Sequence, residues 1–213
     1  MVKLASIEGN IGVGKSTFTK LLEQCFSLTV VPEPINVWLN LTDESGDNIL
    51  QKFYNDKNRW SYTFQNMAYI TRAIMIEDSI KNCATEYLFL DRSLATDKFV
   101  FEKMLSDDGL ISPLEHKIYL MWCDFYNRHI RNDNCSKIIY LRCDPSISKE
   151  RIIKRNRKEE LDISIEYLEK LNKYHEDWLI NNPNVLVLDC NRDFENDIEY
   201  QKELLDMVKK YLD

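Results

Sequence analysis

Eight residues near the beginning of the chain have the types and spacing needed to hold phosphate. They match the pattern G-x-x-x-x-G-K-S and read Gly9-Asn10-Ile11-Gly12-Val13-Gly14-Lys15-Ser16, followed by Thr17. Glycines let successive backbone N–H groups point at phosphate oxygens, and the helix expected after Gly14 adds the positive end of its dipole. Lys15 would neutralise phosphate oxygens, and the Ser16 hydroxyl would ligate Mg²⁺. The loop therefore predicts a nucleoside triphosphate site, without saying how the triphosphate is used.

Two further groups of charged residues come directly after predicted strands. Asp91 and Arg92 follow the apolar run 87–90, and Glu33 follows the run 28–31 with a proline on either side. Residues just past the carboxyl ends of parallel strands face the ligand crevice of an open sheet. There Asp91 could hold Mg²⁺, Arg92 could contact a transferred phosphoryl group, and Glu33 could act as general base toward a hydroxyl. Taken alone, Asp91 and Arg92 also fit a salt-bridged helix cap, and Glu33 fits an exposed loop residue.

The segment 149–160 is dense in charge and contains Arg151, Arg155 and Arg157. Arg151 and Arg155 are four residues apart and therefore share one face of a helix. Because the guanidinium fork matches phosphate oxygens, this segment could close over a triphosphate as a lid and stabilise the transferred charge. A solvated surface helix is the alternative interpretation.

Strand-like and helix-like segments alternate along the chain. Short apolar runs separated by longer stretches with helical spacing indicate a parallel sheet covered on both faces. The stretch after Gly14, for example, has Phe18, Leu21 and Leu22 at helical spacing. Neither an internal repeat nor a linker is visible, so we expect one domain over residues 1–213 with a lid at about 151–163. The predicted strands are 2–7, 28–31, 87–90, 137–141 and 185–188, and the longer predicted helices are 60–80, 114–130, 165–179 and 197–212.

Composition argues against several classes of protein. The 28 Lys and Arg against 35 Asp and Glu give a net charge of −7, which argues against a protein that coats nucleic acid. No window approaches about 18 continuous apolar residues, and no basic, apolar leader precedes the first strand, so we expect neither a membrane span nor a targeting peptide. The six cysteines lack metal-ligand spacing, which favours a reduced protein of the cytoplasm.

A GTPase would be expected to carry an Asn-Lys-x-Asp motif that reads guanine near the end of a strand. The sequence has no such motif, so an ATP-dependent small-molecule kinase fits better than a GTPase.

Several groups of residues, in order along the chain, resemble the motifs of a known family. They are Glu8-Gly9-Asn10-Ile11-Gly12-Val13-Gly14-Lys15-Ser16-Thr17, Pro32-Glu33-Pro34 with Trp38, Trp60-Ser61-Tyr62-Thr63-Phe64-Gln65, Asp91-Arg92-Ser93 with Asp97, the segment 151–160, Glu166-Tyr167-Leu168-Glu169-Lys170-Leu171, and Asp189-Cys190-Asn191-Arg192-Asp193-Phe194. Over nearly its whole length the chain resembles the deoxyribonucleoside kinases, in the deoxycytidine, deoxyguanosine and deoxyadenosine kinase branch. The resemblance implies a P-loop NTPase-type three-layer α/β fold, with a five-stranded parallel sheet flanked by helices and an Arg-rich lid. It also implies an enzyme of nucleotide salvage that uses Mg²⁺ and moves the γ-phosphoryl group of ATP or another NTP to a deoxynucleoside 5′-hydroxyl.

The resemblance implies a role for each group near the reaction. Glu33 resembles the base that takes the proton of the 5′-hydroxyl, and Arg92 resembles the arginine that steadies that oxygen and the base. Lys15 is the third implied catalytic residue. Ser16 and Asp91 resemble the magnesium ligands.

A deoxynucleoside pocket is also implied. Gln65 would pair with the edge of the base, since its amide both donates and accepts. Phe64 and Phe101 would sandwich the base, while Tyr54 and Glu160 would bind the sugar 3′-hydroxyl and exclude a 2′-hydroxyl. The further implied lining residues are Leu50 and Phe53. The alternatives are a plain core for the two phenylalanines, a surface position for Tyr54 and a solvent-facing side chain for Gln65.

Arg72 and Asp97 match positions where this branch carries an ion pair. A charged pair can donate and accept at an amino-bearing base edge, but it leaves an unsatisfied group opposite a thymine methyl. The resemblance therefore predicts deoxycytidine and purine deoxynucleosides as substrates in preference to thymidine. A purely structural salt bridge is the alternative.

On the donor side, the resemblance assigns residues beyond the phosphate loop. Arg151 resembles an arginine that stacks on the donor base, and the loop at Asp193 and Phe194 resembles one that senses that base through backbone groups. Arg155 and Arg157 resemble the arginines of the lid. Asn156 departs from the pattern, because the family pattern has glycine between these two arginines.

The helix 114–130 resembles one through which the family forms homodimers. Its aromatic residues Tyr119, Trp122 and Tyr126 are therefore expected to be exposed in the single chain. Simple packing onto the sheet is the alternative. The expected partners are thus a deoxynucleoside substrate and a second copy of the chain, and neither nucleic acid nor a membrane.

Two other functions compete with this interpretation. A nucleoside monophosphate kinase would share the sheet, but its phosphate acceptor is already anionic, so it needs no base and a carboxylate such as Glu33 would repel it. A non-catalytic nucleotide-binding module would have no need for Lys15, Ser16, Glu33 and Asp91 together.

Overall fold

Five short apolar runs form the strands of one sheet. The computed structural model describes residues 2–26, 28–130 and 135–212, and every run predicted to be a strand forms one, with ends shifted by one residue at most. Aliphatic and aromatic residues favour such runs because they pack well on a pleated, buried surface. The strands are β1 Lys3–Glu8, β2 Thr29–Val31, β3 Tyr87–Asp91, β4 Lys137–Arg142 and β5 Val185–Asp189.

The strands lie in the order β2-β3-β1-β4-β5, and each pair of neighbours is parallel. In the central strand β1, Ile7 lies opposite Asp91 of β3, and Glu8 lies opposite Tyr140 of β4. Because the strands share one direction, their carboxyl ends meet at the same edge of the sheet. The segments that follow Glu8, Val31 and Asp91 therefore start side by side.

The helices connect the strands and cover the sheet. No helix in residues 2–26, 28–130 or 135–212 is long and apolar enough to cross a bilayer. A π-helical turn, Asp97–Glu102, and a 3₁₀ turn, Lys158–Glu160, add to the helices. The α-helices are α1 Lys15–Phe26, α2 Ile35–Asn40, α3 Ile49–Asn55, α4 Lys57–Asn82, α5 Leu94–Thr96, α6 Lys103–Asp107, α7 Pro113–Ile130, α8 Pro145–Arg155, α9 Ile165–Leu179 and α10 Ile198–Leu212.

The two faces of the sheet are buried against different helices. Ala5 and Ile7 of β1 belong to a cluster with α1 and α10, whereas Leu4, whose side chain points to the opposite face, packs with α4 and α7. Helix α9 covers β4 on that second face, where Leu179 contacts Ile138 and Tyr140. The result is a helix–sheet–helix sandwich, which confirms the three-layer α/β fold predicted from the sequence.

Helix α4 is long and carries three of the residues predicted to line a substrate pocket. It has 26 residues and begins after Asp56, whose side chain accepts a hydrogen bond from the Arg59 N–H. Phe64, Gln65 and Arg72 are buried along it. Because residues 65 and 72 are two helical turns apart, their side chains share one face and point into the same region.

The expectation for Tyr119 on α7 is wrong. Its side chain is only 1% exposed and packs edge-on against the Tyr69 ring, with centroids 5.6 Å apart. Tyr119 and Cys123 are four residues apart and face the sheet, so this stripe of the helix belongs to the core. Trp122 lies on the outer face and is 44% exposed, and Tyr126 is half-buried.

Candidate active site

A cavity of about 890 Å³ opens at the carboxyl edge of the sheet. It is lined by residues that follow β1, β2, β3 and β5, by α4, and by the end of α8. Residues predicted for the donor, the acceptor and the metal therefore share one continuous space. Those that line it are Ile11, Gly12, Gly14, Lys15, Ser16, Thr17, Glu33, Leu50, Phe53, Tyr54, Phe64, Gln65, Arg72, Asp91, Arg92, Asp97, Phe101, Arg151, Arg155, Arg157, Glu160, Asp193 and Phe194.

The phosphate loop folds around the Lys15 side chain. Its Nζ donates to the carbonyl oxygens of Gly9 at 3.0 Å and Asn10 at 2.9 Å. Burial, with the nearby positive charge of Arg92, lowers the pKa of Lys15 to about 7. At Gly14, φ is +104° and a Cβ would lie 2.8 Å from the Phe194 ring, so this position needs glycine. The loop is thus a tight cradle whose one cation is held by its own carbonyl groups.

Three residues of the predicted loop do not line the cavity. Asn10 is 2% exposed, and its side chain donates to the carbonyl oxygen of Leu168 in α9 at 2.8 Å. The Gly9 carbonyl accepts from Lys15, and the Val13 carbonyl accepts from Arg151 Nη1 at 2.9 Å. These residues shape and anchor the loop rather than face the space inside it.

Glu33, just after β2, lies between Arg92, just after β3, and Arg72 of α4. Its Oε1 accepts from Arg92 Nη1 at 2.7 Å and from Arg72 Nη2 at 3.1 Å. Burial alone would raise the pKa of Glu33, but the positive charges of Arg92, Arg72 and Lys15 outweigh it and lower the pKa to about 2. The carboxylate is therefore ionised at neutral pH, and the interpretation as an exposed loop residue does not hold.

Arg72 joins three acceptors at the floor of the cavity. Its Nε donates to Asp97 at 2.9 Å, and its Nη1 donates to the Asp91 carbonyl oxygen at 3.0 Å. The side chains of Arg72 and Asp97 are only 3% and 2% exposed. Burial opposes the charge of Arg72, but Asp97 and Glu33 outweigh it and raise its pKa. The predicted ion pair is formed, and it also holds Glu33.

Asp91 has a carboxylate oxygen suited to a cation. Its Oδ1 is buried and has no hydrogen-bond partner in the part of the chain that the structure describes. Burial raises the pKa of this carboxyl. Ser16, at the start of α1, lines the same cavity. A buried carboxylate oxygen and a hydroxyl near a phosphate loop are the hard oxygen ligands that Mg²⁺ prefers, so these residues fit the ion.

The apolar part of the cavity is built from stacked rings. Phe64 stacks on Phe53 with centroids 4.7 Å apart, and the edge of Trp38 packs against Phe64 at 5.3 Å. Phe101 lies under the Arg92 guanidinium, 5.2 Å from it. Gln65 is 1% exposed and its Oε1 lacks a partner among the described residues, so its amide is buried in the pocket wall rather than facing solvent.

The two arginines of the predicted lid are both hydrogen-bonded to one acidic residue. Glu160, in the 3₁₀ turn, is 4% exposed and accepts hydrogen bonds from Arg155 and Arg157. Between them Asn156 has φ +58° and ends α8 in the left-handed conformation. Asparagine tolerates this conformation better than most residues, which explains how it occupies a position where glycine is expected. The first five residues of the predicted lid belong to α8, and the remainder contains the 3₁₀ turn with connecting residues on either side.

The loop after β5, predicted to contact the donor base, lies beside the start of α1. Phe194 is 3% exposed and packs edge-on against Phe18 of α1 at 6.1 Å. The Arg151 guanidinium lies 5.7 Å from the Phe194 ring. Asp193 lines the cavity, and its carboxylate accepts from the Glu195 N–H at 2.9 Å. The predicted donor-base residues are therefore adjacent to each other and to the phosphate loop.

Comparison with known proteins agrees with this geometry. A family model described as deoxynucleoside kinase matches residues 5–213. The chain belongs to the deoxynucleoside kinase family. It is 36% identical to deoxycytidine kinase 2 of Gallus gallus, with 97% of this chain and 89% of that protein covered. It is 34% identical to deoxycytidine kinase of Homo sapiens and 34% identical to mitochondrial deoxyguanosine kinase of Xenopus laevis; each alignment covers 99% of this chain and about 90% of the relative. The recognition made from the ordered motifs is confirmed, and the chain is a kinase.

Sequence reasoning missed some residues that build the cavity of this deoxynucleoside kinase. Tyr167 of α9 lines it, and burial raises the pKa of its hydroxyl. Lys57 lies over the rings of Tyr54 and Tyr167 at 5.5 and 5.2 Å, which ties the start of α4 to α3 and α9. Ile35 and Ala68 add apolar lining. An ordinary apolar or aromatic residue in a helix carries no local sign that it faces a ligand, although Tyr167 lies within one of the recognised motifs.

Proposed function

We propose that the protein transfers the γ-phosphoryl group of ATP or another NTP to the 5′-hydroxyl of deoxycytidine and purine deoxynucleosides. The observation that carries the proposal is the position of Glu33, an ionised carboxylate held by Arg92 and Arg72 in the same cavity as Lys15. A carboxylate beside a phosphate cradle suits a neutral hydroxyl acceptor, because a general base must be within hydrogen-bond reach of the proton it removes. The family and the substrates named for its relatives support the same reaction.

In the proposed reaction, the hydroxyl oxygen attacks the γ-phosphorus while the bond to the β,γ-bridging oxygen breaks. The hydroxyl proton passes to Glu33, and the nucleoside diphosphate leaves. Because the pKa of Glu33 is about 2, the proton moves only as the new phosphorus–oxygen bond acidifies the hydroxyl. Arg92 holds Glu33 and offers charge to the oxygen, and Lys15 exchanges its carbonyl partners for phosphate oxygens.

Ser16 and Asp91 would hold Mg²⁺ in this proposal. The ion would supply positive charge at the β- and γ-phosphate oxygens. The unpartnered, buried Oδ1 of Asp91 supports the assignment. Arg155 and Arg157 would bind the same phosphates from the lid, and Arg151 with the loop at 193–194 would contact the donor base.

The acceptor pocket would select both base and sugar. Gln65 would pair with the base edge between Phe64 and Phe101, and Tyr54 with Glu160 would hold the 3′-hydroxyl and crowd out a 2′-hydroxyl. Leu50 and Phe53 complete the apolar lining. The buried Arg72–Asp97 pair has no apolar counterpart for a thymine methyl, which supports discrimination against thymidine.

We propose further that residues 1–213 act as one domain, with a lid at about 151–163, in a homodimer formed through α7. Support for the dimer comes from large apolar side chains on the outer face of α7, which are Leu114, Ile118, Met121, Trp122 and Phe125, 37–70% exposed. Mass measurement by light scattering tests the dimer: about 50 kDa is expected, twice the 25.3 kDa of the chain, and a monomer would contradict it. A cytoplasmic location stays a prediction.

Phosphoryl transfer from labelled ATP to each of the four deoxynucleosides tests the central proposal. Glu33→Gln should lower kcat by about 10²- to 10⁴-fold, because the base is lost, while both substrates still bind. The matched control is Glu77→Gln, an exposed glutamate of α4, which should leave kcat unchanged. Retained activity in Glu33→Gln would show that Glu33 is not the base. Phosphorylation of deoxycytidine monophosphate but not of deoxycytidine would establish the monophosphate kinase instead.

A further inference from the structure

Glu8, the last residue of β1, is a buried carboxylate to which the proposed mechanism gives no role. It is 0% exposed. Its Oε1 accepts from the backbone N–H of Ser93 at 3.0 Å and from the Ser93 hydroxyl at 2.6 Å, and its Oε2 accepts from the Thr96 hydroxyl. A carboxylate removed from water persists only where hydrogen bonds compensate it, and here every one of these bonds comes from the segment after β3.

These bonds attach the phosphate-loop strand to the start of a helical run. Ser93 is the N-cap of α5, but its hydroxyl makes no capping bond and donates to Glu8 instead. The Glu8 carboxylate thus binds the N-cap residue itself and a hydroxyl of the first turn, at the end of the helical run 94–107 where the helix dipole favours negative charge. This run carries Asp97 and Phe101, which line the acceptor side of the cavity.

We call the hydrogen bonds from Ser93 and Thr96 to Glu8 the Glu8 clip. The residue next to this clip has a strained backbone. Arg92 has φ +69°, a conformation that a side-chain-bearing residue adopts only when its surroundings hold it. Its N–H donates to the Ile7 carbonyl at 3.1 Å and its Nη2 to the Gly9 carbonyl at 3.3 Å. Residues 7, 8 and 9 of the chain thus hold Arg92 and Ser93 at three successive points.

We infer that Glu8 is a positioning residue for phosphoryl transfer. It acts through Ser93 and Thr96 to keep Arg92 directed at Glu33 and to keep the helix of Asp97 and Phe101 in place against the phosphate loop. Glu8 directly precedes Gly9, so one carboxylate couples the alignment of donor and acceptor. This inference rests on the proposed function, because it assigns Glu8 to the alignment of those two substrates.

A loss of alignment should lower kcat strongly and affect substrate binding little, since displacing a reacting group by about 1 Å costs about 100-fold in rate. Glu8→Gln keeps the shape, accepts from Ser93 with Oε1 and can donate to the Thr96 hydroxyl, so kcat should fall by less than about 10-fold. Glu8→Ala should lower kcat by about 100-fold while KM for both substrates changes by less than about threefold. Partial rescue by glutamine is a result that lost fold stability alone would not produce, once rates are expressed per folded molecule.

Thr96→Val keeps Glu8 and tests the same clip if Glu8→Ala does not fold. It removes one donor without changing shape, and kcat should fall by about 3- to 10-fold. The matched control is Thr85→Val. The Thr85 hydroxyl donates to the Tyr87 carbonyl at the opposite end of β3, so its removal should leave kcat unchanged. In the double variant Glu8→Ala/Thr96→Val, kcat should equal that of Glu8→Ala, because the bond is already lost.

Wild-type kinase and Glu33→Gln are assayed in the same series. An inactive wild type would overturn the proposed function. An active wild type and an impaired Glu33→Gln, together with unchanged kcat in Glu8→Ala, or in Thr96→Val if Glu8→Ala does not fold, would overturn the role of Glu8 alone. The role of Glu8 would also be overturned if Glu8 variants lost thermal stability but kept the wild-type kcat per folded molecule.

Discussion

The two walls of the cavity hold their charges in different ways. We name the walls after the proposed roles of their residues: the acceptor wall consists of Glu33, Arg72, Arg92 and Asp97, and the donor wall consists of Lys15, Arg151, Arg155 and Arg157. Side chains of the acceptor wall are 2–16% exposed and are paired with one another. In the donor wall, Lys15 and Arg151 are held by backbone carbonyl groups, and Arg155 and Arg157, 39% and 27% exposed, are held by Glu160.

This difference indicates how each substrate binds. Preformed charges need no reorganisation at the moment of reaction, so the acceptor wall is ready before the deoxynucleoside arrives. The donor wall must give up its internal partners when phosphate replaces them. We therefore expect the acceptor wall to respond sharply to the loss of one charge, and the donor wall to respond gradually.

The largest effect should come from breaking the acceptor wall at Arg72 and Asp97. Asp97→Ala leaves Arg72 buried with one fewer partner and should destabilise the protein by about 3–5 kcal/mol. The double variant Arg72→Leu/Asp97→Ala removes both charges and should recover part of that loss. It should also reduce the discrimination between deoxycytidine and thymidine by about 10- to 100-fold, because the polar groups opposite a thymine methyl are gone. Denaturant unfolding and kcat/KM for both nucleosides measure these outcomes.

A surface pair provides the control for this prediction. Lys3 and Glu86 are joined at 2.8 Å but are 51% and 70% exposed, so Lys3→Met/Glu86→Gln should cost less than about 1 kcal/mol and leave selectivity unchanged. Unchanged discrimination in the Arg72/Asp97 double variant would mean that the buried pair is only a structural salt bridge.

The donor wall was easier to predict from the sequence than the acceptor wall. Phosphate binding is local: one loop supplies the glycines, Lys15 and Ser16, so its pattern is visible in eight successive residues. The strands were found for the same reason, since a buried parallel strand is a continuous apolar run. The short helices α2 and α3 were not, because six or seven residues offer too little periodicity.

Contacts between distant residues left no sign in the sequence. Glu8 meets Ser93 across 85 positions, and Asn10 meets Leu168 across 158. Neither bond can be inferred from spacing, and only the sheet order brings these residues together. The error at Tyr119 has a related cause: an aromatic residue on a helix is equally suited to a core or to an interface, and tertiary packing decides between them.

A smaller effect should follow from changing Glu160, the residue that restrains the lid arginines. Glu160→Gln should raise KM for the deoxynucleoside, because the 3′-hydroxyl exchanges a charged acceptor for a weaker neutral one. Without a deoxynucleoside present, Glu160→Gln should also bind a non-hydrolysable ATP analogue about 2- to 5-fold more tightly. Arg155 and Arg157 would then no longer have to leave a carboxylate before they bind phosphate. Titration calorimetry with and without deoxycytidine measures both effects.

Glu159→Gln is the matched control for the lid. In the part of the chain that the structure describes, Glu159 accepts from Asn48 at 2.9 Å and not from an arginine, so donor affinity should stay at the wild-type value. Weaker donor binding in Glu160→Gln would contradict the idea that the donor wall is restrained by its own carboxylate.

The last effect concerns stability at low pH rather than substrate binding, and it comes from His175, which lies behind the acceptor wall. It is 0% exposed, its ring stacks on Tyr140 at 6.0 Å, and Phe101 packs against it edge-on at 6.4 Å. Burial, with the charge of Arg92, lowers the pKa of His175 from 6.5 to about 3, against the opposing effect of its Nδ1–H bond to the Leu171 carbonyl at 2.7 Å. Its imidazole is therefore neutral in the folded protein at pH 5, whereas it is protonated in the unfolded chain.

Because the unfolded state binds the extra proton, the free energy of unfolding should fall as pH drops below 6.5 and continue to fall toward pH 3. For one such group the loss between pH 7 and pH 5 is about 2 kcal/mol. His175→Gln cannot take up this proton, so its free energy of unfolding should change by about 2 kcal/mol less over that interval. His129→Gln, at an exposed position on α7, should keep the wild-type dependence. Equal pH dependence in wild type and His175→Gln would mean that the acceptor wall accommodates a protonated imidazole behind it, and that it is less rigidly preformed than its ion pairs indicate.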